Sequence, residues 1–402
     1  MPLDADIIVV GSGPAGSTAA KLLADRGYQV LLVDRAAFPR HKTCASWINR
    51  LAFERFSYLM PRLDELVEAP FYGITFYDSS LERSGRFTEH VPSGYLSLRS
   101  KFDDGLRRIA VEAGAEFLGG RAVTNLSEGR DDVRVRLADG GELSARLIIG
   151  ADGASSRVAA ATGLHRGWRP GDYVLCANAD VPCQPLLIET FYGSRFPLVA
   201  YLQYEGIQGY GWVFPKRKHV CIGIGALLAQ GRQIRPLFER FVRDLRRRRH
   251  LPAEVSEDAV KAETTFDLDP VGAVHRLPSL ARGRVLVIGD AAGFVSGSTG
   301  EGIYPGMVSA EIACEVVDQS LRRPQSSLTA GLAHFDRAWR AELGAYVKRL
   351  PGGEHEGRTK GRIDLIFRSP LAARLAGRAF LYGEGLTLRT LARSVWPRSR
   401  DL

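Results

Sequence analysis

Asp6-Ile7-Ile8-Val9-Val10-Gly11-Ser12-Gly13-Pro14-Ala15-Gly16 is the stretch whose reading decides the fold. Asp6 to Val10 reads as a short buried strand, and a helix-like run follows the glycines as far as Gly27. A second strand, Gln29 to Val33, ends at Asp34. Gly11 allows a tight turn, Gly13 lets the backbone approach a pyrophosphate, and Gly16 lets helix and strand pack closely. Pro14 and Ala15 stand at the helix start, where free N–H groups and the positive dipole end face phosphates. Asp34, followed by Arg35, can accept hydrogen bonds from a ribose diol. GxGxxG alone is weak. Placed between a strand and a helix, with an acidic residue closing the second strand, it specifies a dinucleotide site in an α/β domain.

Two further strand ends carry glycine-rich turns. Leu147-Ile148-Ile149 leads to Gly150-Ala151-Asp152-Gly153, then Ser156 and Val158. Arg284 to Ile288 leads to Gly289-Asp290-Ala291-Ala292-Gly293, and the chain runs through Phe294 to Gly300-Glu301-Gly302 into a helix near Ile303 to Val317. Asp290 is placed to bind a ribityl or ribose hydroxyl. The helix near Gly300 would point its positive end at a flavin pyrimidine and stabilise the anionic reduced flavin. Nicotinamide enzymes do not need this third segment, so the order of motifs points to FAD. Each Gly-Asp pair taken singly is also compatible with an ordinary turn.

GSGPAG, Arg99-Ser100-Lys101-Phe102-Asp103, GADGASSRV and GDAAGFVSGSTGEGI together resemble the para-hydroxybenzoate-hydroxylase superfamily of flavoproteins, and within it the geranylgeranyl reductase family. That family pairs GDAAGF with a run like Thr299 to Tyr304. It also carries a motif matched by Tyr210-Gly211-Trp212-Val213-Phe214-Pro215-Lys216. The resemblance implies that Gly11, Gly13, Pro14, Ala15, Gly16, Asp34, Arg35, Arg99, Asp152, Gly153, Gly289, Asp290, Gly300, Gly302 and Ile303 hold FAD. It implies a substrate lined by Tyr210, Trp212 and Phe214, and an electron donor of the NAD(P)H type without a nucleotide domain of its own. Cys44 matches the family's loop cysteine, placed to give a proton to a reduced double bond. The sequence departs from the family at Ala45-Ser46-Trp47, where Gly-Gly is usual, and at Gly297, where proline is usual. Both departures weaken any transfer of the family's long isoprenoid substrate, and the altered Cys44 loop suggests a different or more compact one.

Between the flavin segments lie two sheet-like blocks, about Ala69 to Leu98 and Asp172 to Phe266, which alternate apolar and polar residues around Tyr173, Phe191, Tyr201, Trp212 and Val220. The expected architecture is a discontinuous Rossmann-like α/β FAD-binding domain (1–68, 99–171, 267–345), an inserted β-sheet substrate domain (69–98, 172–266) and a C-terminal helical region (346–402). Of 402 residues, 45% are hydrophobic and 25% charged, which argues against disorder, and the net charge of +9 favours anionic partners such as phosphates or an acidic membrane face. It does not indicate nucleic-acid binding. The basic run Arg246 to Arg249 reads as a solvated helix C-terminus. Cys44, Cys176, Cys183, Cys221 and Cys314 form no CxxC pair, so no metal site is expected and a reducing, cytoplasmic setting fits. Neither a signal peptide nor a membrane span is read in the sequence, leaving a soluble or peripheral protein of unassigned oligomeric state.

Four functions are compatible with these motifs. The first is an FAD-dependent reductase of carbon–carbon double bonds. The second is a monooxygenase acting through a C4a-hydroperoxyflavin on an apolar or aromatic substrate, favoured by the altered Cys44 loop. A halogenase shares a run like Tyr210 to Pro215 but needs a pocket lysine, and none occurs between Lys42 and Lys101. The fourth is a scaffold that binds flavin without turnover. His41 and Lys42 read as surface charge or phosphate ligands, and His275 and Arg276 stay unassigned. Gly352 to Gly357 reads as a turn or mobile loop and Ile363 to Val395 as helix, packed by default on its own domain or else covering a pocket, a partner or a membrane surface.

Overall fold

A computed structural model describes residues 3–228, 233–322, 328–347 and 363–384. The turn expected at Gly352 to Gly357 and the end of the stretch Ile363 to Val395 lie outside them. The chain forms two compact units, one of Met1–His41, Ser100–Asp172 and Asp269–Leu350, the other of Lys42–Arg99, Tyr173–Leu268 and Pro351–Leu402.

In the first unit, β1 (Ala5–Val10) lies between β2 (Val30–Asp34) and the strand Glu142–Gly150, parallel to both. Val285–Val287 extends the parallel sheet beyond Glu142–Gly150, and Glu116–Gly119 extends it beyond β2. Parallel strands need crossovers, and the crossing helices bury the strands on both faces. Ile7, Ile8 and Val9 are accordingly fully buried, which is why β1 reads as an unbroken apolar run. The helix α1 (Pro14–Ala24) packs against the long helix Ile303–Arg322. A ribbon of Val123–Glu128 and Val133–Leu137 joins the sheet antiparallel, with Val133, Val135 and Leu137 buried and Arg134 and Arg136 exposed between them. This is the α/β fold expected.

The second unit holds a seven-stranded sheet in the order Thr265–Pro270, Tyr173–Pro182, His219–Leu227, Gly209–Pro215, Leu198–Leu202, Gly73–Tyr77 and Ser84–Thr88. Alternation along Gly209–Pro215 sends Val213 to one face and Trp212 and Phe214 to the other. The helix Ile234–Arg247 covers the first face, burying Ile234, Leu237, Phe238, Phe241, Val242 and Leu245 at helical spacing. The basic run closes this helix. Arg246 bonds the Val255 carbonyl, Arg247 pairs with Asp244 at 3.0 Å, and Arg248 with Glu82 at 2.7 Å.

Some boundaries differ from the sequence reading. Residues 42–68, read with the nucleotide unit, lie in the second, because Trp47–Asn49 pairs with Gly94–Leu96, which pairs with Ala69–Phe71. A three-residue strand has no periodicity to read. Of the C-terminal region, residues 363–384 belong to the second unit. There the helix Pro370–Tyr382 packs on Gly73–Tyr77 and Ser84–Thr88, with Gly377 so close to Phe87 that a Cβ would stand 2.4 Å from it. Phe191 is not in a strand. It lies 41% exposed on the helix Pro185–Tyr192, which Pro185 opens and Gly193 ends at φ +86°.

Candidate functional site

The three motif segments of the first unit meet at the carboxyl ends of its parallel strands, where open α/β sheets bind ligands. Gly11 N–H donates to the Val33 carbonyl and Ala151 N–H to the Val10 carbonyl, both at 2.7 Å. These bonds hold the ends of β1, β2 and Glu142–Gly150 level. Gly11 has φ +102°, and a Cβ there would stand 2.3 Å from the Ala151 oxygen, so only glycine lets the turn pass. At Gly16 a Cβ would stand 1.8 Å from the Gly11 oxygen, which fixes how closely α1 approaches its own turn.

Gly13 is different. It is the N-cap of α1, in extended conformation, with no side-chain cap and Pro14 following. A Cβ on Gly13 would meet only the Arg40 guanidinium, at 3.6 Å. The space over the helix N-terminus is therefore open and flanked by a cation. Arg40 is held there by an ion pair at 3.0 Å to the fully buried Asp103 and stacks over Phe38 at 5.0 Å. Asp34, buried at the end of β2, accepts from Ser12 N–H at 2.7 Å and Ala36 N–H at 2.8 Å, one bond per oxygen. Each oxygen keeps a lone pair for a hydroxyl donor. An uncapped helix end, an open glycine, a fixed arginine and a carboxylate with spare acceptor capacity fit a dinucleotide. Arg35 is exposed. Neither Arg40 nor Asp103 stands out in the sequence, because their pairing joins distant segments.

The third segment folds as expected. Gly289 to Ala292 form a tight turn after Val285–Val287, with Gly289 against Ala15 and its N–H bonded to Ser309 Oγ at 3.1 Å. The Asp290 Oδ1 lies 3.3 Å from where a Cβ on Gly302 would stand, so the Gly289–Asp290 turn and the Gly300–Gly302 loop adjoin. Ile303 begins the helix Ile303–Arg322. Between Gly300 and Gly302, Glu301 is buried, and burial pushes its carboxyl up to about 7 although the Tyr346 hydroxyl and Tyr304 N–H favour the ion. The sequence gives no sign of this, since burial alone sets it.

Asp152 braces its own turn. Its carboxylate accepts from Ser156 Oγ at 2.5 Å and from the N–H groups of Arg157 and Val158 at 2.6 and 3.1 Å, bracing the start of the helix Arg157–Thr162. Burial raises its carboxyl above the usual range despite those bonds. Gly153 follows at φ +83°. His275 and Arg276 line a cleft of about 340 Å³ with Trp168, Arg169 and Asp172, where Arg276 pairs with Asp172.

In the second unit Tyr210, Trp212 and Phe214 share one sheet face. Trp212 lies over Gly223, where a Cβ would stand 2.2 Å from its ring, and donates to Asn178 Oδ1 at 3.2 Å. Phe380 of the C-terminal helix stacks on Trp47 at 5.9 Å and meets Tyr210 edge-on at 5.5 Å. Trp212 and Phe214 are thus buried in an apolar cluster, while Tyr210 is half-buried beside it. Below them the fully buried Lys216 pairs with Asp180 at 2.5 Å. Burial alone would lower its ammonium, but the Asp180 carboxylate outweighs this and holds it above the ordinary lysine range. Burial also works to raise Glu68, yet the bond to His219 and the charge of Lys216 hold it below its usual value. Cys44 is half-buried and its sulfur accepts the Ser46 N–H at 3.3 Å. Lys42 pairs with Asp267 at 3.2 Å, His41 is exposed, and Arg99 is the buried first residue of the helix Arg99–Glu112.

The family described as FAD binding domain matches residues 4–322. The chain belongs to this family. Within it the geranylgeranyl reductase resemblance holds. A menaquinone reductase of Mycobacterium tuberculosis is 33% identical over 81% of this chain and 80% of its own. A digeranylgeranylglycerophospholipid reductase 2 of Methanopyrus kandleri is 31% identical over 86% of this chain and 85% of its own. A geranylgeranyl bacteriochlorophyll reductase-like protein from Thermoplasma acidophilum shares the fold, with a TM-score of 0.75 at 18% identity over 99% of this chain and 97% of its own. The flavoprotein is an FAD-dependent oxidoreductase. Among the described residues, no helix is long and apolar enough to cross a membrane, and no group of three His, Cys, Asp or Glu could hold a metal.

Proposed function

We propose that this flavoprotein reduces carbon–carbon double bonds in an apolar lipid or quinone. Kinship at above 30% identity, along four-fifths or more of both chains, with two reductases named for such molecules carries the reading. The apolar cluster of Trp212 and Phe214, with Tyr210 half-buried beside it, is the matching apolar feature. Phe214 and Trp212 shape it from within, and Tyr210, half-buried, is the one of the three that would touch substrate.

The chain's own residues take the following parts. The N-terminus of α1, with Gly13 open above it and Arg40 beside it, binds the pyrophosphate of FAD. Asp34 accepts from the adenosine ribose, and Asp290 from the ribityl chain. Gly300, Gly302 and Ile303 bring the positive end of the helix Ile303–Arg322 to the flavin ring. Asp152 and Gly153 shape the neighbouring turn. Arg35 and Arg99 add positive charge for the phosphates. When bound, FAD supplies the two electrons of the reduction, with NAD(P)H as the source. Cys44 gives the proton to the second carbon. Its sulfur already accepts the Ser46 N–H, a bond that strengthens once the thiol has become a thiolate.

The test is anaerobic incubation of the reduced holoenzyme with menaquinone or a digeranylgeranyl lipid, followed by mass spectrometry. The expected result is a gain of two hydrogens per reduced double bond, with return of the oxidised flavin spectrum. Reoxidation by oxygen alone, with neither acceptor gaining mass, overturns the reading. Cys44→Ser should stay loaded with FAD and lose most turnover, and unchanged turnover would exclude Cys44 as the acid.

A further inference from the structure

Glu301 lies in the loop before the helix Ile303–Arg322, with 3% of its surface exposed. Its Oε1 accepts Tyr304 N–H, from the first turn of that helix, at 3.0 Å. Its Oε2 is bonded to the hydroxyl of Tyr346, which follows the helix His334–Glu342 and stands edge-on to Tyr304 at 5.3 Å. Neither partner is a cation. On its own loop, Thr299 Oγ1 accepts the Glu301 N–H at 3.2 Å, and Ser296 N–H donates to the Glu301 carbonyl at 2.8 Å. Among the described residues, a second carboxyl adjoins this corner, that of Asp290, next to Gly302 from the Gly289–Ala292 turn.

A carboxylate buried without a cation is costly, and the cost appears as a raised affinity for protons. Burial pushes Glu301 up to about 7, so near neutral pH the group is divided between its two forms. The ionised form sets a negative charge against the positive end of the helix, and the protonated form leaves that end uncompensated.

We propose that Glu301 takes up one proton when the bound flavin accepts two electrons, and so sets how steeply the flavin's reduction potential depends on pH. This rests on the reading that the flavin ring lies at the N-terminus of the helix Ile303–Arg322. Two negative charges then compete for one positive helix end: the charge gained on reduction, and Glu301 carboxylate. Each disfavours the other, so reduction raises the proton affinity of Glu301, and protonation of Glu301 favours reduction to the same extent. In the balance, two electrons and one proton go to the flavin, a second proton from solvent goes to a Glu301 oxygen, and no other bond forms or breaks. Tyr346 is a positioning residue. Its hydroxyl favours the carboxylate and holds the proton uptake near neutrality rather than above it.

Spectroelectrochemical titration of the holoenzyme between about pH 5 and 9 tests this. One proton per two electrons lowers the potential by about 30 mV per pH unit, and two protons by about 60 mV. The wild type should show the steeper slope beginning near neutral pH. Glu301→Gln, which keeps an oxygen for Tyr304 N–H, should show the shallower slope throughout and a higher potential at the alkaline end. Tyr346→Phe should move the onset of the steep segment to higher pH. Profiles of both variants that superimpose on the wild type overturn the proposal while leaving the cofactor site intact. If instead Gly13→Ala retains FAD at wild-type affinity, the placement of the cofactor is what has failed.

Discussion

Gly13→Ala separates a cofactor contact from a folding requirement. The glycine sits at φ −78° and ψ −173°, a conformation alanine adopts freely. The added methyl would meet nothing nearer than the Arg40 guanidinium, 3.6 Å away, which is ordinary contact. The loss of a good N-cap and the gain from a stiffer unfolded chain are both small and opposed, so apoprotein stability should change by less than about 1 kcal/mol. The same methyl occupies the space where a pyrophosphate would approach the backbone. Losing one hydrogen bond to a charged group costs about 1.5–3 kcal/mol, so FAD affinity should fall about 10- to 100-fold. Fluorescence titration of the apoprotein with FAD reads the affinity, and urea unfolding reads the stability. Gly16→Ala is the contrast. Its methyl would stand 1.8 Å from the Gly11 oxygen, so the turn must shift and the apoprotein itself should lose about 1–3 kcal/mol. Unchanged FAD affinity in Gly13→Ala would refute the reasoning.

Two predictions concern buried charge. Glu301 is held near 7 in the folded chain against 4.5 when unfolded, a raised value, so its contribution to stability is complete below about pH 4.5 and is lost as pH rises through 7. Glu301→Gln should stabilise the apoprotein at pH 8 by up to about 3 kcal/mol and have no effect near pH 4, read from urea midpoints; equal gains at both pH values would contradict the linkage. Lys216→Met should cost about 3–5 kcal/mol by stranding Asp180, and adding Asp180→Leu should recover much of it. A double variant no more stable than the single would show that the pair is not the source.

The legible part of this protein was local. β1, α1 and β2 were readable because glycine spacing and strand burial are set within a few residues, and the same holds for the turns at Gly150 and Gly289. What escaped reading depends on chain segments far apart. Arg40 is fixed by Asp103, Phe380 reaches back to Trp47 and Tyr210, and Glu301 depends on burial under Tyr346. Asp152 reads as a ligand for the cofactor and its carboxylate also braces its own turn, two uses that a Gly-Asp pair does not tell apart. Trp212 and Phe214 matched a family motif and are nonetheless packed as core, because alternation marks a face without saying what covers it.

The strand Glu142–Gly150 has one consequence for how the protein is made. Its neighbour Val285–Val287 lies more than a hundred residues downstream, beyond most of the second unit. At a synthesis rate of about 5–20 residues per second, the growing chain carries Ile148 and Ile149 on an unpaired sheet edge for roughly 7–27 seconds. Such an edge is a template for pairing with other chains. The growing chain therefore carries an open edge on its first-built sheet while most of the second unit is being made, and the yield of this enzyme should depend on holding chaperones during synthesis as well as on its final stability.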